Sequence, residues 1–243
     1  MILKTRGIVL KTFDFRETSR IATFFTQDYG KVKGVLKGIR KDSRKFGSSV
    51  DQFSENDIVY YQYRNSDLHL ISQCDLRNFF PPIRRDIKKI LAASYVLELV
   101  DAIMPSEEPN GNVYALMLDY LSSLEAIEDV SKLVHIFQIK ILLLSGFRPH
   151  LDSCLVCKKD VSGQAKFSSQ LGGLVCLRCR LDEPHVTLVS RGAVASLLHI
   201  ERSDWQVSLR LGISEPIKKE LKFLLNDFLV FHLDRQLKTA KYL

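Results

Sequence analysis

The spacing of the cysteines constrains this chain more than any other feature. Four of its five cysteines form two pairs with two residues inside each pair, and eighteen residues separate the pairs. Two residues between cysteines let a tight turn direct both sulfur atoms inward, so two such turns supply the ligands of a closed tetrahedral zinc site. The sequence therefore predicts one structural Zn²⁺ bound by Cys154, Cys157, Cys176 and Cys179.

The segment between the pairs favours a metal as its stabilising element. Residues 158–175 are polar and glycine-rich, with too few apolar side chains for a core of their own. Metal binding contributes folding free energy in such modules. Two disulfides, free thiols or an iron–sulfur cluster are the alternatives; disulfides are disfavoured because residues 1–15 do not resemble a signal peptide, which predicts a cytoplasmic protein. Four thiolates leave no position for water, so a catalytic zinc is not expected.

Positive charge is concentrated in the first fifty residues. The chain has a net charge of +7, whereas residues 1–50 alone hold twelve basic and four acidic side chains, a surplus of 12 − 4 = 8. A one-sided basic region is expected of a protein that binds a polyanion. The predicted nucleic-acid-binding residues come from the segment 30–47: Lys31, Lys33, Lys37, Arg40, Lys41, Arg44 and Lys45. On a strand, the first three would lie on one face.

The first eighty residues are typical of a small β-barrel. Runs rich in Val, Ile, Phe, Tyr and Thr, at 2–15, 20–26, 31–40, 57–64 and 68–76, are separated by turn residues. With a longer loop at 41–55 they predict a Greek-key barrel of the OB type, with an SH3-like barrel as the alternative. Phe46 is a candidate for stacking on a nucleic-acid base. Phe13 and Phe15 are expected to pack in the barrel core.

Helical periodicity begins after Pro81 and Pro82. Apolar residues at helical spacing predict helices from Ile87 to a point before Pro105, at 113–127, at 131–145, from a cap at Ser190 to about 199, and from 215 onward. The chain is therefore expected to be α+β: an OB-fold nucleic-acid-binding domain at 1–80, then a helical domain at 81–243 with a zinc-binding insertion at about 150–185. No apolar run approaches the ~18 residues of a membrane helix.

Catalytic motifs are missing from the sequence. It contains no GxxxxGK[ST], no GxGxxG after a strand, no GxSxG and no HExxH. His135 lies in the apolar third helix, where a core histidine is expected. The chain is therefore predicted to be a binding protein and not an enzyme. An RNA-binding OB/zinc-ribbon protein of the translation or transcription machinery is one alternative, and a metal-dependent nuclease is another.

Four stretches of the chain carry a family resemblance through their order. They are GIVLKTFDFRETSRIATFFTQDYGKVKGVLKGIRKDSRKFG, then FFPPIRRDIKKILAASYVLEL, then SGFRPHLDSCLVC with VCLRC, and finally FLVFHLDRQLKTAKYL. Together they resemble the bacterial recombination-mediator family RecO, and the resemblance extends over essentially the whole chain.

The resemblance implies a DNA repair and recombination mediator. Such a protein binds single- and double-stranded DNA, anneals complementary strands, and helps load the recombinase RecA onto DNA covered by single-strand binding protein. It also implies two protein partners, the ring-shaped RecR and the acidic C-terminal tail of the single-strand binding protein, and action in the cytoplasm, on the nucleoid during repair. Candidate cations for binding that tail are Lys132, Lys140, Arg148 and Arg178. The absence of a base-reading recognition helix predicts binding without sequence specificity.

Overall fold

A computed structural model describes residues 1–41, 46, 50–161, 163–181 and 186–243 of the protein. The chain divides into two compact units: Met1–Ile127 with Thr239–Leu243, and Glu128–Lys238. The expected domain boundary at residue 80 stays a prediction.

Among the described residues, five strands near the start of the first unit close into a barrel. They are β1 (Ile2–Phe15), β2 (Ser19–Thr26), β3 (Gly30–Leu36), β4 (Glu55–Tyr61) and β5 (His69–Asn78). The strand order is β1-β2-β3-β5-β4, and β4 pairs back onto β1. All pairs are antiparallel except β3 with β5. This topology is that of the OB fold, so the expected barrel is confirmed.

Alternation along β3 separates the barrel core from the outer surface. Val32 and Leu36 are buried in the core, whereas Lys33 between them is exposed. Gly34 allows close approach of β3 and β5, because a Cβ atom there would lie 2.4 Å from Cδ1 of Ile71. β3 ends at Leu36, earlier than expected, since Gly38 takes a left-handed conformation with φ of 79°.

A bulge in β1 changes which side chains face outward. The pairing register of β1 with β2 shifts between Val9 and Lys11. Before the bulge, Leu3 and Val9 face the core. The extra residue reverses the alternation beyond the bulge, so Lys11 and Phe13 face outward. Phe13 is therefore 45% exposed, and the expectation that it packs in the core was wrong. Phe46, proposed from the sequence to stack on a base, is instead buried in the barrel core.

Three helices complete the first unit: α1 (Pro81–Arg84), α2 (Ile87–Ile103) and α3 (Gly111–Ala126). Side-chain caps begin the two longer helices, because Asp86 accepts a hydrogen bond from the Lys88 N–H and Asn110 accepts one from the Val113 N–H. The helix α2 lies against β1. A short 3₁₀-helix, Ala240–Tyr242, ends the chain.

The second unit is helical with a small sheet. Its elements are α4 (Val130–Leu144), β6 (Ala165–Ser168), β7 (Gly173–Cys176), β8 (Val186–Val189), α5 (Arg191–Arg202), α6 (Trp205–Arg210) and α7 (Glu215–Leu233). The helix α4 packs against α5 and α7, which explains its burial on most sides, His135 included. Ser190 caps α5 as expected, by accepting a hydrogen bond from the Ala193 N–H. The sheet was not predicted, since its strands have only four residues each.

The chain is thus α+β, with an N-terminal barrel followed by a helical region that carries a four-cysteine cluster. Within the described ranges, no helix combines the length and the apolar character needed to cross a membrane.

Candidate metal centre and nucleic-acid interface

The four paired cysteines meet in the second unit. Their sulfur atoms all lie within 4.8 Å of one another. The Sγ–Sγ distances are 3.9 Å for Cys154 with Cys179, 3.8 Å for Cys157 with Cys176, and 3.6 Å for Cys176 with Cys179. Tetrahedral zinc with Zn–S bonds of about 2.3 Å requires Sγ–Sγ distances of about 3.8 Å. The cluster therefore has the size of a four-thiolate metal site.

Backbone hydrogen bonds connect the first cysteine turn to strand β7. The Leu174 N–H donates to the His150 carbonyl at 2.9 Å, and the Leu155 N–H donates to the Leu174 carbonyl at 2.9 Å. Gly173 permits this contact, because a Cβ atom there would lie 2.2 Å from the His150 carbonyl oxygen. Since Cys176 ends β7, this pairing brings the second cysteine turn beside the first.

The protein backbone also prepares Cys154 to act as a ligand. Burial would raise the pKa of its thiol, but N–H groups of Cys157 and Cys176, 3.5 and 3.3 Å from its Sγ, lower that pKa to about 6. None of the five cysteines, all of which lie among the described residues, forms a disulfide. The ring of His150 contacts the Ser153 hydroxyl at 2.9 Å and does not join the cluster. His185, which also flanks the module, lies outside the described residues.

A cleft of about 510 Å³ opens on the outer surface of the barrel. Its lining holds three lysines and three carboxylates together with the exposed ring of Phe13: Lys11, Lys31 and Lys33, and Asp67, Asp101 and Glu107. Lys33 places its Nζ atom 5.8 Å from the centre of that ring. The cleft therefore combines cations with an exposed aromatic face, which is the combination that binds phosphates and unstacked bases.

Lys31 differs from the other lysines of this cleft. Its side chain is 14% exposed, and Nζ donates a 2.9 Å hydrogen bond to the backbone carbonyl of Asp101 in α2. The side-chain carboxylate of Asp101 accepts a 2.6 Å hydrogen bond from Nζ of Lys11. Lys31 thus connects β3 to α2 within the first unit.

The remaining predicted binding residues are exposed where they are described. Lys33, Lys37, Arg40 and Lys41 are all exposed, and Arg40 also donates to the Arg16 carbonyl at 3.2 Å. Arg44 and Lys45 lie outside the described residues. Sequence reasoning missed Lys11 and misplaced Phe13. Both follow the bulge in β1, and nothing in the local pattern marks that bulge.

The fold and the two sites define a class of protein: an OB-type barrel with an outer cleft lined by lysines, carboxylates and an exposed phenylalanine, followed by a helical region with a four-cysteine cluster that could hold a metal ion. Family comparisons agree with this description. The model for the recombination protein O N terminal region matches residues 1–80, and the model for its C terminal region matches residues 84–241. The chain belongs to the RecO family.

Similar proteins match over nearly their full length. Relatives named DNA repair protein RecO include those of Desulforamulus reducens, 32% identical over 100% of this chain and 94% of the relative, and Syntrophus aciditrophicus, 30% identical over 99% and 94%. Another, from Moorella thermoacetica, is 28% identical over 100% of this chain and 90% of the relative.

Proposed function

We propose that this protein is a DNA repair and recombination mediator. It binds single- and double-stranded DNA without sequence specificity, anneals complementary strands, and helps load recombinase onto DNA covered by single-strand binding protein. Membership of the RecO family and the names of its relatives support this proposal. The protein acts by binding and not as an enzyme, in the cytoplasm and on the nucleoid during repair.

The observation that carries the proposal is the exposed pair of Lys33 and Phe13 on the outer surface of the barrel. Lys33 is exposed with its Nζ atom 5.8 Å from the centre of the Phe13 ring, and Lys37 is exposed just after the end of β3, so both lysines are able to meet phosphates while the ring stacks on a base. Stacking of this kind contributes about 1–3 kcal/mol per base. Neither contact depends on base identity, which supports binding without sequence specificity.

Annealing follows from neutralisation of phosphate charge. Two single strands repel each other through their backbones, and each phosphate that a cation neutralises lowers this repulsion. Exposed cations continue from Lys33 through Lys37, Arg40 and Lys41, with Arg44 and Lys45 as further predicted contacts. Each phosphate contact contributes about 0.7 to the log–log salt dependence for single strands and about 0.9 for duplex.

Zn²⁺ is the proposed metal of the cysteine cluster. Cys154, Cys157, Cys176 and Cys179 would complete its coordination, so the ion would stabilise the module and leave no position for substrate water. The intervening strands β6 and β7 have four residues each, which makes metal binding a large part of the folding free energy of this segment.

RecR, the tail of the single-strand binding protein and, indirectly, RecA are the proposed protein partners. Of the four candidate cations for the tail, three make bonds inside the second unit. Lys132 donates to the Leu209 carbonyl at 2.9 Å, Lys140 donates to the Ser203 carbonyl, and Arg148 pairs with Glu201. Arg178 is exposed.

An annealing assay tests the proposal. Two complementary oligonucleotides coated with single-strand binding protein are mixed with the zinc-loaded protein, and duplex formation is followed in real time. Wild-type protein should accelerate annealing, and Lys33→Glu with Lys37→Glu should remove most of the acceleration. Arg85→Glu with Lys88→Glu, also exposed in the first unit, is the matched control. Absence of acceleration by folded wild-type protein, or a strong preference for RNA of equal length, would contradict the proposal.

A further inference from the structure

The metal module carries a second cationic surface, separate from the barrel cleft. We define this knuckle surface by the exposed residues on and beside the two cysteine turns: Val156, Lys158, Lys159, Leu177, Arg178 and Arg180. We propose that the knuckle surface binds a second DNA strand while the barrel holds the first. This inference rests on the proposed annealing function.

The four cations of the knuckle surface are not used inside the protein. Within the described part of the chain, none of their side chains makes an ion pair or a hydrogen bond. Lys166 of the same module, by contrast, donates to the Cys179 carbonyl at 3.0 Å. Asp160 is the one acidic residue among the described positions from 154 to 181. Among these described positions the surface thus presents four cations against the carboxylate of Asp160; Asp182 and Glu183, which follow in the sequence, lie outside the described residues.

The metal centre does not account for all of this charge. Four thiolates with one Zn²⁺ carry a net charge of about −2, so the described residues 154–181, with five basic side chains and one acidic side chain, keep a net charge of about 5 − 1 − 2 = +2. A surface with residual positive charge is complementary to a phosphate backbone.

The backbone at Lys158 allows the charge of this residue to be tested separately from the fold. This residue has a φ of 60°, in the left-handed region where glycine is the favoured residue. Its N–H donates to the Cys154 carbonyl at 2.9 Å, a bond that glycine would make equally well. Lys158→Gly therefore removes the cation while keeping the backbone conformation of the turn, which separates an effect of charge from an effect on the fold.

Apolar side chains lie between the cations. Val156 is 51% exposed and Leu177 is 48% exposed. The two turns that carry them adjoin, because Sγ of Cys157 and Sγ of Cys176 are 3.8 Å apart. Apolar groups flanked by cations suit an unstacked single strand, since its bases and sugars are accessible while its phosphates meet the lysines and arginines.

The test measures binding of a second strand. Zinc-loaded full-length protein is saturated with one oligonucleotide, and a labelled, non-complementary oligonucleotide is then titrated at several salt concentrations. The knuckle variant combines Lys158→Gly, Lys159→Gln, Arg178→Gln and Arg180→Gln. A matched control changes four exposed cations elsewhere in the second unit, Arg191, Arg210, Lys219 and Arg235, to Gln.

Wild-type and control proteins should bind the second strand, and the knuckle variant should keep first-strand affinity while losing the second. Loss of four phosphate contacts at about 0.7 each lowers the salt slope for the second strand by about three. Lys158→Gly alone should weaken second-strand binding with zinc content unchanged and thermal stability equal or higher, because glycine relieves the left-handed strain. A purely structural role for Lys158 predicts no change in DNA binding.

The outcomes separate this inference from the proposed function. Equal second-strand binding by wild type and knuckle variant would overturn the inference and leave annealing by the barrel intact. If the knuckle variant kept both strands but lost RecR, the surface would belong to a protein partner and the inference would be wrong. Failure of wild-type protein to bind even the first strand would instead refute the proposed function.

Discussion

Lys31 and Lys33 lie two residues apart on the same strand, yet the structure predicts different consequences when each is changed to alanine. Lys31→Ala should lower thermal stability, whereas Lys33→Ala should weaken oligonucleotide binding. Lys31 is 14% exposed and donates a 2.9 Å hydrogen bond to the Asp101 carbonyl, with a carboxylate oxygen of Asp101 3.7 Å away. A hydrogen bond from a charged donor contributes about 1.5–3 kcal/mol to stability. Lys33 is exposed, and surface substitutions usually change stability by less than about 0.5 kcal/mol.

The expected magnitudes are measurable. For a chain of this length, 1 kcal/mol corresponds to a Tm shift of about 2–4 °C, so Lys31→Ala should lower the Tm of the zinc-loaded protein by about 3–12 °C. Lys33→Ala should leave the Tm within about 2 °C of wild type. Its effect should appear instead in oligonucleotide binding, as a salt slope lower by about 0.7.

Thermal unfolding and fluorescence anisotropy on the same preparations separate the two effects. Lys88→Ala, exposed on α2, is the control that should change neither measurement. If Lys31→Ala kept the wild-type Tm and reduced the salt slope as Lys33→Ala does, the structural role assigned to Lys31 would be refuted.

Three further predictions concern metal, hydrogen bonding and pH. Chelation, or Cys176→Ser, should remove the one bound zinc and open residues 150–189 to proteolysis; a metal-free module that resists protease would contradict this. Tyr114→Phe should lower the free energy of unfolding by about 1–3 kcal/mol in chemical denaturation, because buried Glu55 loses a donor 3.1 Å away; an unchanged value would argue against the bond. Burial lowers the pKa of His135, so only the unfolded chain takes up a proton there as pH falls below about 6.5. The free energy of unfolding should therefore decrease by up to about 1.4 kcal/mol per pH unit, and His135→Leu should show a shallower decrease than wild type.

Features that depend on local chemistry were predictable from the sequence. The metal-binding cluster follows from the two Cys-x-x-Cys turns, since each turn places its own sulfur atoms and only the meeting of the turns requires the fold. The five strands of the barrel and the long helices follow from apolar periodicity and turn residues. The cap at Ser190 was likewise predictable, because a serine before an apolar helical pattern satisfies a backbone N–H of the first turn.

The prediction of which side chains face the core was wrong in β1, where a bulge inserts one extra residue into the strand. The bulge between Val9 and Lys11 reverses the outward parity of β1, so Phe13 lies on the surface with Lys11. Phe46, in the predicted loop 41–55 and a candidate for stacking on a base, is buried in the barrel core instead. Neither the bulge nor the burial of Phe46 can be recognised from the local sequence pattern, because both depend on how the other strands of the barrel pack.

The sequence by itself determined the class of fold, the four-cysteine cluster and the basic segment that contains Lys31 and Lys33. These properties depend on spacing and charge along the chain. Only the tertiary structure decided the surroundings of each lysine: α2 places the Asp101 carbonyl beside Lys31, whereas Lys33, two residues on, remains exposed. The physical reason is that a strand directs both side chains to one face, and whether a partner lies opposite each is settled by long-range packing.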